Sequence, residues 1–322
     1  MSLLTAHQVS KFYGDVLGVD RVTVAISAGI TSLVGPNGAG KTTLMNLFAG
    51  LLHPTRGELT VLGRTPGDPE LYRQFGYCAS WDAFPPGVTA HGFIARYLRL
   101  HGYGPAEAAR GAGRALERVG LAAVARRRAE TFSQGMRQRL RLAQATAHDP
   151  QVVILDEPLN GLDPLARAEM ATLFRNWAAG GRALLISSHI LHEVDAMSDR
   201  VLLLDQGYLL GAGSVLTVRG EIRRHPLQIL VRCDRPAELA AQAFRWPQVL
   251  EARLAAGEAG REDGAEPGAV LVKTRNPEAF LLALNQLAGD GQLHIETVAP
   301  VDENLDAVYR FLLTPEPEAD HA

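Results

Sequence analysis

The chain has 322 residues, of which 47% are hydrophobic and 21% charged, and a formal net charge of −3. That composition belongs to a globular protein with a proper core, long enough for one large domain and a smaller one. So even a charge balance gives no overall field toward nucleic acid or acidic lipid. The two cysteines, Cys78 and Cys233, match no metal or disulfide framework, and no run approaches the roughly 18 apolar residues of a membrane span.

The opening Met1-Ser2-Leu3-Leu4-Thr5 does not read as a secretory signal, because no basic region precedes an apolar core. The first thirty residues read as strands. Val22-Thr23-Val24-Ala25-Ile26 alternates, and Ile30 to Val34 is a short apolar run ended by glycine. Gly35-Pro36-Asn37-Gly38-Ala39-Gly40-Lys41-Thr42 follows, and a helix is expected from Lys41 to Ala49. Backbone N–H groups surround a phosphate only where the chain curls tightly, which assigns Gly35, Gly38 and Gly40 to that turn. Lys41 supplies a point charge for the β- and γ-phosphates, Thr42 a hydroxyl for Mg²⁺, and Thr43 a reach to another phosphate. The helix aims its positive end at the same oxygens. Strand, glycine-rich turn and helix are the context that makes this loop a specific signal for nucleotide binding.

A strand is expected at Glu58 to Leu62, and the stretch from about Thr89 to Ala147 is mainly helical. Gln151 to Leu155 is an unbroken apolar strand of the buried, parallel kind. It ends in Asp156 and Glu157, whose side chains diverge because neighbours on a strand face opposite ways. Asp156 suits Mg²⁺ binding, usually through water; Glu157 suits positioning and deprotonating an attacking water. Asp163-Pro164 reads as an N-cap with proline at the first helical position, opening a helix to about Trp177. Arg182 to Ser187, Leu191 to Met197 and Val201 to Asp205 read as strand, helix and strand. Such alternation implies a mostly parallel sheet covered on both faces.

Past Gly220 the pattern changes. Strands at Leu227 to Arg232, Val249 to Leu254, Ala269 to Thr274 and Leu293 to Val298 alternate with helices at Pro236 to Phe244 and Pro277 to Ala288. The order β-α-β-β-α-β matches a ferredoxin-like unit. A closing helix is expected at Leu305 to Leu313, then a disordered tail. Arg126-Arg127-Arg128 reads as a solvated turn. His53, His91, His101 and His148 show no metal spacing and read as surface residues. Cys78 reads as a small apolar filler.

From about Leu4 to Ser214 the sequence resembles the ATP-binding subunits of ABC transporters. Phe132-Ser133-Gln134-Gly135-Met136-Arg137-Gln138-Arg139-Leu140 resembles the signature segment and Asn160-Gly161-Leu162-Asp163 the D-loop. Ser187-Ser188-His189 resembles the switch-histidine loop, and Tyr13 the adenine-stacking aromatic. The resemblance implies two domains closing head to tail around two ATP molecules, so that Ser133 and Gly135 of one cap the γ-phosphate held by the other. His189 would contact that phosphate, and Asp163 would carry contact across the pair. Two departures stand out. Gln134 replaces a second glycine, and Ser80, in Gly76-Tyr77-Cys78-Ala79-Ser80, stands where a longer glutamine, or sometimes a glutamate, normally reaches Mg²⁺ and the attacking water.

The region after Ser214 resembles the extension of ATPase subunits from drug, antibiotic or polysaccharide exporters, in Glu303-Asn304-Leu305-Asp306-Ala307-Val308-Tyr309. The resulting expectation has three parts. Residues 1–220 form an α/β phosphate-loop ABC ATPase domain with an inserted helical subdomain. Residues 221–313 form a small α+β accessory domain favoured as dimer support, and 314–322 a disordered tail. Function follows as MgATP hydrolysis by a homodimer or paired subunit at the cytoplasmic membrane face, driving export through a separate membrane-spanning permease, with no nucleic-acid partner. Alternatives are a regulatory module with weak hydrolysis and a soluble ATPase acting on ribosomes or DNA.

Overall fold

The computed structural model describes residues 2–80, 84–188, 194, 197–214, 227–255, 268–291 and 293–300. They fall into two compact units, divided between residues 215 and 216.

The first unit holds two sheets. Strands β1 (Ser2–Tyr13), β2 (Val16–Ser27) and β4 (Arg56–Val61) make an antiparallel sheet in the order β2-β1-β4. Strand β3 (Gly29–Val34) leaves it for a six-stranded sheet with β5 (Phe75–Cys78), β6 (Val152–Leu155), β7 (Ala183–Ser188), β8 (Arg200–Asp205) and β9 (Tyr208–Ser214). The order is β5-β6-β7-β3-β8-β9, parallel except for the last pair. The mostly parallel sheet therefore forms as expected, but Val22–Ile26 and Glu58–Leu62 lie in the separate antiparallel one.

Alternation along the parallel strands sends side chains to two different cores. Val153, Leu155, Leu184 and Ile186 enter one cluster, with Leu140 and Leu142 of the helix α4 (Gln134–Thr146) and Phe174 of α5 (Pro164–Ala179). Val152, Ile154, Ala183 and Leu185 enter the other, with Leu44, Leu47 and Phe48 of α1 (Lys41–Phe48) and inward residues of the antiparallel sheet. A strand apolar at every position is the signature of burial on both faces. Between β5 and β6 lies the helical stretch, α2 (Ala90–Leu100), α3 (Pro105–Arg118) and α4. α2 starts where Thr89 accepts the Gly92 N–H, and α4 where Ser133 accepts the Met136 N–H at 3.3 Å.

α4 lies hard against β5. Any Cβ at Gly76 would run into the Ala145 carbonyl, which accounts for glycine inside that strand. His148, just beyond α4, is buried rather than at the surface. Its Nε2 donates to the Phe75 carbonyl at 3.1 Å, and its ring stacks on His101 at 4.1 Å.

The second unit has β10 (Leu227–Cys233), α6 (Pro236–Ala243), β11 (Val249–Ala255), β12 (Ala269–Thr274), α7 (Pro277–Gly289) and β13 (Ile295–Pro300). Its antiparallel sheet runs β11-β12-β10-β13, the strand order of a ferredoxin-like unit. Ile229, Val231, Val270 and Val272 pack on Leu239, Phe280 and Leu284 in a core of their own. The linker 256–267, the segment 301–322 with the exporter-like ending and closing helix, and the boundary at Gly220 lie outside the described residues. So does most of Leu191–Met197.

Candidate functional site

The loop between β3 and α1 is built by its backbone. Gly38 and Gly40 have φ of 83° and 99°, whereas Gly35 is not among the residues with positive φ. At Gly40 a Cβ would strike the Gly18 carbonyl, so both conformation and space demand glycine. Nothing lies within 4 Å of where a Gly38 Cβ would sit, which leaves that side of the loop open to a ligand. Pro36, Asn37 and Ala39 complete the turn, closed by the Ala39 N–H on the Pro36 carbonyl at 3.2 Å.

Lys41 is 6% exposed and folds back under the loop. Its Nζ donates to the carbonyls of Gly35 at 2.6 Å and Pro36 at 3.0 Å, and stands 3.8 Å from Glu157 Oε1. Burial lowers the ammonium's pKa, opposed by the nearby carboxylates of Glu157 and Asp156. Lysine here is a buried amine held beside acidic groups, placed for an anion that the loop's N–H groups can also meet.

Asp156 and Glu157 do separate. Asp156, 1% exposed, accepts a hydrogen bond from Thr42 Oγ1 at 2.9 Å and one from Ser187 Oγ at 2.7 Å. Glu157 has a left-handed φ of 50°, a conformation that costs a non-glycine residue energy and recurs at functional sites. Its N–H donates to Ser187 Oγ at 2.7 Å. One serine thus ties both acids together, although the sequence marks Ser187 only as part of the switch loop. The role depends on β6 and β7 being parallel neighbours, which places their C-terminal ends side by side, a pairing that no local sequence pattern encodes.

Tyr13 lies beside the same loop. Its hydroxyl is 3.4 Å from Thr43 Oγ1, and its ring is half exposed. Ser80 is exposed just past β5 and makes no side-chain hydrogen bond to Thr42 or Asp156 among the described residues. His189 lies outside the described residues, as do Trp81 and Asp82.

Ser133, Gly135 and Asp163 meet elsewhere. They line a separate cleft of about 570 Å³ with Gln134 and Gly161, and no residue from 35 to 43 reaches it. The side chain of Gln134 lies against Gly161, tying the starts of α4 and α5 together. Asp163 caps α5 through the Ala166 N–H at 2.8 Å. Since the Ser133 oxygen accepts from its own helix, its O–H remains able to donate outward.

The donors fit a magnesium–nucleotide. Loop N–H groups and Lys41 suit phosphate, while the adjacent hydroxyl of Thr42 and carboxylate of Asp156 are hard oxygen donors of the kind Mg²⁺ takes.

Residues 19–160 match the family model described as ABC transporter. An ABC transporter ATP-binding protein of Bacillus subtilis is 34% identical over 71% of this chain and 77% of its own length. A Nod factor export ATP-binding protein of Rhizobium johnstonii is 36% identical over 64% and 67%. Among solved structures, the ATP-binding subunit of an ABC transporter superposes with a TM-score of 0.63 at 27% identity, covering 69% of this chain and 93% of that one.

Proposed function

This chain belongs to the ABC transporter ATP-binding family, and on that premise we propose that it works as half of a nucleotide-closed pair driving export through a separate membrane-spanning permease. It is an ATP-binding subunit with ATPase activity. The observation that carries the paired reading is the split between its two clusters. Lys41, Thr42, Asp156 and Glu157 converge on the phosphate loop, while Ser133, Gly135 and Asp163 line a cleft that loop does not reach. A second copy facing head to tail supplies what each loop lacks.

In this reading Gly35 to Thr43 cradle the phosphates of ATP, Lys41 neutralises their charge, and Tyr13 stacks on the base. Thr42 and Asp156 hold Mg²⁺, with Ser80 at its margin; the ion, when bound, supplies positive charge to the phosphate oxygens. Glu157 accepts the proton of the attacking water, and His189 orients the γ-phosphate. From the partner, Ser133 donates its hydroxyl and Gly135 its N–H, at a helix start whose dipole favours the anion. Asp163 makes contact across the pair. Residues 1–220 form the motor and the ferredoxin-like unit supports pairing. No helix among the described residues is long and apolar enough to cross a membrane, in keeping with attachment through the permease at its cytoplasmic face.

Glu157→Gln tests the assignment. It should keep ATP affinity within about threefold and lower turnover by about 10²–10⁴-fold, the usual worth of a general base. Steady-state phosphate release beside equilibrium nucleotide binding reads both, and wild-type turnover in the variant would remove Glu157 from that role.

A further inference from the structure

Arg141 lies on α4, about two turns beyond Ser133. Its guanidinium divides between two partners. Nη1 donates to the Ala79 carbonyl at 3.0 Å, and Nη2 donates to Gln138 Oε1. Gln138 is 1% exposed and passes the connection on, its Nε2 donating to the Pro158 carbonyl at 2.8 Å. Ala79 immediately precedes Ser80, and Pro158 immediately follows Glu157. Three hydrogen bonds therefore join the segment leaving β5 to the segment leaving β6.

Those two segments start side by side. β5 and β6 pair in parallel register as far as Cys78 and Leu155, and the Asp156 N–H donates to the Cys78 carbonyl at 2.8 Å. Beyond that bond the ladder stops, and Arg141 with Gln138 takes over the spacing from above. Packing alone does not explain an arginine here. Its Nε is buried without a hydrogen-bond partner, a penalty that an unbranched apolar methionine avoids. The backbone is also fixed where it matters, since Gly76 lets α4 rest directly on β5.

We propose that Arg141 is a positioning residue for ATP hydrolysis, holding the Ala79–Ser80 segment in register with the loop that carries Glu157. Serine at position 80 is short, so its backbone position sets how far its hydroxyl reaches. Arg141 sets that position, and through Gln138 it ties the same setting to the loop of the water-activating carboxylate. This rests on the role proposed for Glu157, which Glu157→Gln tests independently.

The experiment compares Arg141→Met, which keeps the apolar stem and removes every donor, with Arg141→Lys, which keeps one donor for the Ala79 carbonyl. Full-length proteins are assayed for MgATP hydrolysis, ATP binding, thermal unfolding and amide hydrogen exchange over residues 77–80 and 156–160. Arg141→Met should lower kcat at least tenfold, leave the ATP Kd within threefold, and speed exchange in both segments. Arg141→Lys should recover part of kcat and slow exchange at 77–80 alone. The proposal is overturned if folded Arg141→Met turns over within twofold of wild type, or if its Kd rises as much as its kcat falls. If Arg141→Met does not unfold cooperatively, Arg141→Lys decides: protected 77–80 with recovered turnover supports the assignment, and unprotected 77–80 with wild-type turnover refutes it.

Discussion

At the scale of single residues, the proposed catalytic centre depends on a hydroxyl to which no chemistry is assigned. Ser187 Oγ accepts the Glu157 N–H and donates to Asp156, both at 2.7 Å. Alanine there removes both hydrogen bonds, each worth about 0.5–3 kcal/mol, and loosens the support of a residue already in a costly left-handed conformation. We predict that Ser187→Ala lowers turnover by about 10–100-fold, the range for loss of a supporting hydrogen bond at a metal site, with ATP affinity within threefold. Parallel ATPase and nucleotide-titration measurements check it. That the Asp156 and Glu157 side chains part was expected from strand alternation; β6 in fact ends at Leu155, and Glu157 follows in a left-handed conformation. Arg141 and Gln138 were not, because Arg141 meets a carbonyl 62 positions away and no local pattern encodes that contact.

Among elements, the two missed strands have a common cause. β5 is Phe-Gly-Tyr-Cys, with a glycine at its middle, and β9 is an edge strand carrying Gly211 and Gly213. Glycine weakens the strand pattern wherever close approach or an edge has removed the need for a side chain. The junction of α4 with β5 also carries a pH response. Burial pushes the His148 imidazole from its ordinary 6.5 down to about 4, helped by the stacked His101 and opposed by the Phe75 hydrogen bond and Asp149. Its Nδ1 is buried without a partner, so a proton arriving there finds no acceptor. The sign follows from proton counting: between pH 6.5 and 4 the unfolded chain binds the proton that the folded chain refuses, so stability falls as pH falls. The contribution is complete above 6.5 and is lost progressively toward 4, amounting to about 3 kcal/mol at most. Denaturant titrations at several pH values should show this fall in wild type and a flatter profile in His148→Gln, which keeps a donor for Phe75 without titrating.

The chain has two units, the larger built on two hydrophobic cores and the smaller on one, and the parallel sheet of the larger has a particular order. β3, which carries the phosphate loop, lies between β7 and β8, so its hydrogen bonds go to residues 183–188 and 200–203. A growing polypeptide that has reached residue 170 already contains Lys41, Thr42, Asp156 and Glu157, yet neither neighbour of β3 exists. At about 5–20 residues per second, the interval between making the loop and making its support lasts many seconds. During it an apolar strand waits unpaired, the situation in which chaperones are needed and aggregation begins. Nucleotide affinity should therefore switch on late in synthesis. Ribosome-arrested chains ending at residue 170 should pass through immobilised ATP unretained, while chains with residue 214 fully emerged should be held. The motor's fuel site, nearly first to be written, is among the last to be assembled.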